Sequence, residues 1–147
     1  MPDAAFRIRP MRLDDLDAVL AIERKVFRDP WSRQSYEYEL TSNRFSMNRV
    51  LEIDGAVAGY SVVWRIYEEF HIANIAIDPA RQGQGLGGRL LAALLEERGE
   101  CRYALLEVRR ANVPALRLYE RFRFYQSGVR YGYYRDGEDA LLMRLDF

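Results

Sequence analysis

Phe70-His71-Ile72-Ala73-Asn74-Ile75-Ala76-Ile77, then Asp78-Pro79-Ala80-Arg81, then Gln82-Gly83-Gln84-Gly85-Leu86-Gly87-Gly88, is the stretch from which the rest of the chain is read. The first eight residues are β-like and Asp78-Pro79 breaks them. The glycines run into Arg89 to Arg98, where Leu86, Leu90, Leu94 and their neighbours Leu91 and Leu95 give a broad apolar helical face. A helix N-terminus exposes unpaired N–H groups and a partial positive charge, and glycine lets an anion approach without a Cβ in the way. Gly83, Gly85, Gly87 and Gly88 offer that approach. A tight strand-to-helix turn would also use glycine, but glycines inside a first helical turn cost stability that a turn alone does not require. Anion binding is the favoured reading.

Which anion stays open at this point. Gly83, Gly85 and Gly88 fit the dinucleotide pattern G-x-G-x-x-G, with Glu107 about twenty residues beyond, as that pattern expects. Against it, Asp78 to Gln82 separates the strand from the glycines, whereas a dinucleotide turn follows its strand almost at once. The residues after Gly88 are also too few for the remainder of a two-half nucleotide domain. A P-loop is excluded by the lack of Gly-Lys-Ser/Thr.

Outward from this centre, Phe6 to Pro10 alternates as a short strand, and Asp14 to Phe27 carries Leu16, Val19, Leu20, Val26 and Phe27 on one helical stripe interrupted by Glu23. Asp29-Pro30 breaks the chain. Ser32 can cap a second helix to about Thr41, with Trp31 and Tyr36 at the staple positions. Strand-like runs between Met47 and Arg65 flank the hairpin signal Asp54-Gly55. After Gly99, Ala104 to Val108 reads as a strand and Asn112 as the cap of a helix from Val113 to about Arg121. Strands near Phe124 to Arg130 and Ala140 to Leu145, turning through Asp136-Gly137, close the chain. The expected fold is α/β (α+β), one domain over residues 1–147, with a mixed twisted sheet of about seven strands flanked by about four helices.

With 147 residues, 49% hydrophobic and 30% charged, one ordinary core is the natural solution. The formal net charge of +0 argues against a domain that binds by neutralising many phosphates, so nucleic acid is not expected as the main partner. Cys101 is the single cysteine, and no Cys/His cluster has metal-ligand spacing, so no metal is expected. Met1 to Pro10 includes Asp3 and no apolar leader, and no run is long enough to span a bilayer; the expected location is cytoplasmic, without a membrane partner.

A strand, Asp78-Pro79, then Gln82-x-x-Gly85-x-Gly87 opening a helix resembles the acetyl-coenzyme A signature of the GNAT superfamily of N-acetyltransferases, and the element order is similar over the whole chain. Asn74-Ile75-Ala76-Ile77-Asp78-Pro79, Leu106-Glu107-Val108-Arg109, Asn112, Leu118-Tyr119-Glu120, Gly137-Glu138-Asp139-Ala140, Pro30-Trp31-Ser32 and Tyr133-Tyr134 resemble its bacterial RimI type, which acetylates the N-terminal alanine of a small-subunit ribosomal protein. The resemblance implies acetyl-coenzyme A as cofactor and a protein or peptide N-terminus as acceptor. It further implies that Ile75, Ala76 and Ile77 lend backbone groups to the pantetheine arm, that Gly83, Gln84, Gly85, Leu86, Gly87 and Gly88 hold the pyrophosphate, and that Asn112 contacts the coenzyme. Glu107 would be the proton acceptor and Tyr119 the proton donor. Two departures stand out: Phe122-Arg123-Phe124 replaces the usual Leu-Gly-Phe, and Gly83 and Gly88 occupy positions often filled by arginine.

The chemistry gives each residue a competing reading. An α-amine with a pKa of about 8 is mostly protonated at neutral pH and cannot attack a thioester until it loses a proton. Glu107 is the best-placed carboxylate; taken alone it reads as an ion-pair partner of Arg109 or Arg110. Developing oxyanion charge calls for a backbone N–H, expected from the strand ending at Ile77. Tyr119 shares a helical face with Leu116 and Arg123 and, without the resemblance, reads as core. His71, with no charge partner assignable from sequence, reads as structural. Tyr131, Tyr133 and Tyr134 with Arg130 and Arg135 read equally as a peptide groove or as hairpin packing. Glu37 and Glu39 read as a solvated helix face. Small-molecule amine acetylation, of a polyamine or aminoglycoside, and a non-catalytic coenzyme- or nucleotide-binding module remain as alternatives.

Overall fold

The structure, a computed structural model, describes residues 5–147; Met1 to Ala4, and with them the Asp3 counted against a leader, lie outside the described residues. Seven strands form one sheet in the order β1-β2-β3-β4-β5-β7-β6. They are β1 (Phe6–Pro10), β2 (Ser46–Ile53), β3 (Ala56–Ile66), β4 (Glu69–Ile77), β5 (Tyr103–Arg109), β6 (Tyr125–Arg130) and β7 (Ala140–Asp146). The helices are α1 (Leu16–Val26), α2 (Arg33–Thr41), α3 (Leu86–Glu96) and α4 (Val113–Arg121). β4 and β5 are parallel and every other pairing is antiparallel, so the sheet is mixed as expected. No helix among the described residues is long and apolar enough to cross a membrane.

Local chemistry sets the element ends. The first helix begins two residues later than its apolar stripe suggests. Asp15 turns its carboxylate to the Arg12 N–H at 2.7 Å and to the Arg9 guanidinium at 2.7 and 2.8 Å, holding Leu13–Asp15 as a 3₁₀ turn. Ser32 caps α2 by accepting from Ser35 N–H at 3.1 Å, and the Trp31 and Tyr36 rings lie 5.3 Å apart, the expected staple. Asp54 and Gly55 both have positive φ, 51° and 82°, which matches the twist of the β2–β3 hairpin. Arg123 sits at φ 72°, and Phe124 N–H closes back onto Tyr119 O at 3.0 Å. The α4 helix thus ends in the left-handed conformation that glycine favours, with arginine carrying the strain.

Two cores sandwich the sheet. α3 and α4 cover one face through Leu90, Leu91, Leu94 and Tyr119 against Phe70, Ile72 and Leu106. On the other, α1 and α2 pack Leu16, Val19, Leu20 and Tyr36 onto Val50, Tyr60 and Val62. β4 serves both: Val62 pairs with Asn74 but Val63 with Ile72, which makes Ala73 an extra residue, a β-bulge. The bulge reverses the alternation, so Phe70 and Ile72 join the α3 core while Ala76 joins the α1 core. At the far end of β4, a Cβ on Gly59 would lie 2.6 Å from Ile77 Cδ1 and 2.9 Å from Ala76 O, so only glycine lets β3 back this strand so closely.

Candidate active site

β4 and β5 pair only at Glu69–Tyr103, Phe70–Ala104 and His71–Leu105. Beyond that point β4 stays on β3 as far as Ile77, and β5 stays on β7 as far as Arg109, so the two parallel strands part. The backbone groups of Ile75, Ala76 and Ile77 that point away from β3 have no strand partner among the described residues. A cleft of about 410 Å³ occupies the parting and passes through the sheet. Ile72, Ile75, Leu106 and Tyr119 line it from the α3 side, and Glu23, Trp64, His71 and Glu107 from the α1 side. Polar N–H and C=O groups at the edge of a gap invite a ligand that carries its own amides.

At the end of β4, Pro79–Arg81 makes a 3₁₀ turn capped by Asp78, and α3 begins at Leu86 behind Gly85 in the left-handed region at φ 74°. Among the described residues no protein acceptor takes the N–H of Gly83, Gln84, Gly85, Leu86, Gly87 or Gly88; the helical ladder starts with Arg89 N–H on Gly85 O. The glycines divide the work. Gly83 and Gly85 have positive φ and open space where a Cβ would be, whereas Cβ atoms on Gly87 and Gly88 would face Leu118 of α4 at 3.4 and 3.8 Å. With Leu118 at ordinary van der Waals distance from a Cβ at either place, α3 lies against α4 at Gly87 and Gly88. Their N–H groups remain open in the same row. Asn112 caps α4, its Oδ1 accepting from Ala115 N–H at 3.3 Å, and borders the cleft.

Glu107 and Tyr119 both line the cleft, from opposite faces of the sheet. The ion pair with Arg109 or Arg110, the competing reading of Glu107 taken alone, does not form: Arg109 holds Asp136 at 2.9 Å and Glu138 at 2.8 Å, and Arg110 holds Asp139 at 3.3 Å. Glu107 instead meets His71 Nε2 at 3.0 Å and Arg130 Nε at 3.7 Å. The reading of His71 as a residue without a charge partner is thereby overturned; a contact across thirty-six positions has no local sequence signal. Burial pushes the Glu107 carboxyl up, but the His71 hydrogen bond and the charges of His71 and Arg130 outweigh it and leave the carboxyl below its usual range. The Tyr119 hydroxyl has no hydrogen-bond partner among the described residues, and burial drives its pKa well above the ordinary phenol value. Tyr134, stacked under Arg109 at 4.0 Å, is pushed up to about 12 by burial.

Glu23, which sequence marked only as an interruption of an apolar stripe, is 1% exposed and joins four elements. Its carboxylate accepts from Tyr36 Oη at 2.7 Å, Tyr60 Oη at 2.6 Å, Asn74 Nδ2 at 3.0 Å and Trp31 N–H at 2.9 Å. Through Trp31 it anchors the α1–α2 loop. That loop also walls a neighbouring groove of about 650 Å³, which shares Asp29, Trp31 and Trp64 with the cleft and adds Tyr38 and Arg135. Tyr133 and Tyr134 line the cleft and favour the groove reading for that pair, while Tyr131 is 81% exposed. Glu39 is not on a solvated face: it is buried and held by the Trp64 indole N–H, Asn43 and Ser46. Glu37 is exposed, as expected.

Residues 16–124 match the family model described as Acetyltransferase (GNAT) family. The chain is 40% identical over 151 residues to the N-alpha-acetyltransferase RimI of Mycobacterium tuberculosis, covering 97% of this chain and 90% of that one. It is 35% identical over 143 residues to the [ribosomal protein bS18]-alanine N-acetyltransferase of Escherichia coli, covering 94% and 95%. The crystal structure of the ribosomal-protein-S18-alanine N-acetyltransferase from Escherichia coli superposes with a TM-score of 0.88 at 33% identity, over 97% of this chain and 94% of that one.

Proposed function

The chain belongs to the acetyltransferase (GNAT) family, and from that membership we propose that, as one domain, it moves the acetyl group of acetyl-coenzyme A onto the α-amino group of a protein N-terminus. The favoured acceptor begins with alanine, in a small-subunit ribosomal protein, as the name of the Escherichia coli relative states for that protein. The observation that carries this reading is the parting of β4 and β5: one cleft with Glu107 and Tyr119 on its opposite walls, leading from an open row of N–H donors. The acceptor groove beside it carries Asp29 and Arg135 and buries Glu39, so it does not present the ring of free carboxylates that a polyamine would call for.

Bound acetyl-coenzyme A supplies an acetyl thioester. The N–H groups from Gly83 to Gly88 suit its pyrophosphate, because consecutive donors at a helix start fit a doubly charged anion. The free edge of Ile75 to Ile77 suits the two amides of the pantetheine arm, and a backbone N–H there can face the thioester oxygen as negative charge develops on it. Glu107, ionised at neutral pH, accepts a proton from the incoming ammonium. Tyr119 keeps its proton until a thiolate forms beside it, and the burial that raises the phenol disfavours a lasting thiolate in the same dry site. Incubating the protein with acetyl-coenzyme A and peptides differing in their first residue, then mapping the acetyl group by mass spectrometry, tests the reading. α-Amine modification with preference for alanine is expected. Modification confined to lysine side chains would overturn it.

A further inference from the structure

Asp29, Trp31 and Trp64 line both the cleft and the neighbouring groove. An acceptor with its nitrogen at Glu107 and its chain in the groove crosses the threshold that they form. Trp31 belongs to the α1–α2 loop and Trp64 to β3, so the crossing runs between a loop and the sheet. On the sheet side, Glu107 lies 3.0 Å from His71, and the His71 and Trp64 rings stand perpendicular with centroids 5.2 Å apart. An extended residue advances only about 3.5 Å. The residue that comes alongside Trp64 is therefore the first of the acceptor.

The Trp64 ring is held in place. Its indole N–H donates to the carboxylate of Glu39 on α2, which also accepts from Asn43 Nδ2 at 3.0 Å and Ser46 Oγ at 3.3 Å. Glu39 is buried, so turning the indole away would strip a buried oxygen of a donor. His71 of β4 blocks another side. A wall fixed from α2 and β4 as well as from its own strand selects by size, whereas a yielding one repacks around a larger guest.

We propose that Trp64, fixed by Glu39, limits the first side chain of the acceptor to a small one and so sets the preference for alanine. The proposal rests on the acetyl-transfer reading above and adds to it the residue that selects. The methyl group of alanine stops short of the indole. A leucine or methionine side chain extends further and needs volume that the ring fills. Trp64 touches the acceptor, and Glu39 acts through Trp64 as a positioning residue.

The test is kcat/KM for peptides that differ only in the first residue, from alanine to methionine. Trp64→Ala is expected to raise the ratio of methionine-first to alanine-first by about tenfold or more, the discrimination that one methylene commonly draws from an apolar pocket. KM for acetyl-coenzyme A should stay within about twofold. Glu39→Ala, which frees the indole, is expected to shift the ratio in the same direction, and Glu39→Gln, whose amide oxygen still accepts the indole N–H, to restore the narrow profile. A ratio unchanged in Trp64→Ala would overturn the proposal, as would an equal fall for every peptide, the mark of a purely structural role. If Trp64→Ala does not fold, Trp64→Phe decides: its smaller ring, without an N–H for Glu39, should raise the same ratio, and an unchanged ratio overturns the proposal. A wild-type protein that acetylates none of the peptides would instead sink the acetyl-transfer reading, and the proposal with it.

Discussion

Replacing Glu23 by glutamine changes one buried atom and should be felt in both stability and acceptor binding. The carboxylate accepts four hydrogen bonds, three at Oε1 from Tyr36, Tyr60 and Asn74 and one at Oε2 from Trp31 N–H. A glutamine amide can keep its oxygen at the Oε1 position, but its NH₂ then meets the Trp31 N–H donor to donor, leaving that backbone group unsatisfied at about 1–3 kcal/mol. The other three bonds change from charge-assisted to neutral, each losing about 1 kcal/mol, offset in part because a buried charge no longer has to be kept from water. The net expectation is a loss of about 2–4 kcal/mol. For a chain of this size that corresponds to a fall in Tm of about 6–12 °C. Thermal unfolding followed by tryptophan fluorescence measures it, since Trp31 and Trp64 both flank the site. In steady-state kinetics KM for the peptide should rise and KM for acetyl-coenzyme A should not. A variant that melts within about 2 °C of wild type would refute the hydrogen-bond accounting for Glu23.

Four further outcomes follow from the same structure. Glu107→Gln should lower kcat by about 10²-fold or more, the ordinary range for losing a general base, with coenzyme affinity little changed; wild-type-like turnover would remove Glu107 from the reaction, and the same comparison in Tyr119→Phe tests the donor. Gly85→Ala places a side chain at φ 74° and should cost about 1 kcal/mol of stability. It should also weaken coenzyme A, read by calorimetry, and unchanged affinity would contradict the cradle. Arg123→Gly relieves the strained end of α4 and should raise stability by up to about 1 kcal/mol in urea unfolding, unless entropy gained by the unfolded chain cancels it. Hydrogen bonding to Arg9 holds the Asp15 carboxyl, despite burial, below its usual range. Its stabilisation is complete above the ordinary carboxylate pKa and disappears as pH falls through the lowered folded value. Asp15→Asn should therefore flatten that acid-side loss of stability, and an unchanged pH dependence would argue against the pair.

Most of the fold was legible because it is written in local patterns. Asp54-Gly55 needs two positive φ angles, Ser32 and Asn112 offer side-chain oxygens to the first turns of α2 and α4, and the leucine stripe of α3 repeats at helical spacing. The parting of β4 and β5 was not legible, since it depends on where a register ends and on a bulge at Ala73 that leaves no mark in composition. The His71–Glu107 contact and the Glu23 hub were missed for a related reason. Each joins residues far apart in the chain, and a polar residue in an apolar stripe looks like an interruption until its four donors are seen.

The account turns on coenzyme and protein N-terminus meeting inside one continuous opening between β4 and β5. The most direct measurement is the affinity of a covalent conjugate in which an alanine-first peptide is joined through its α-nitrogen and an acetyl linker to the sulfur of coenzyme A. If both halves lie in the same cleft, the conjugate should bind at least about 10²-fold more tightly than coenzyme A alone, and the gain should shrink when the α1–α2 loop is loosened by Glu23→Gln. A conjugate that binds no better than coenzyme A would contradict the account.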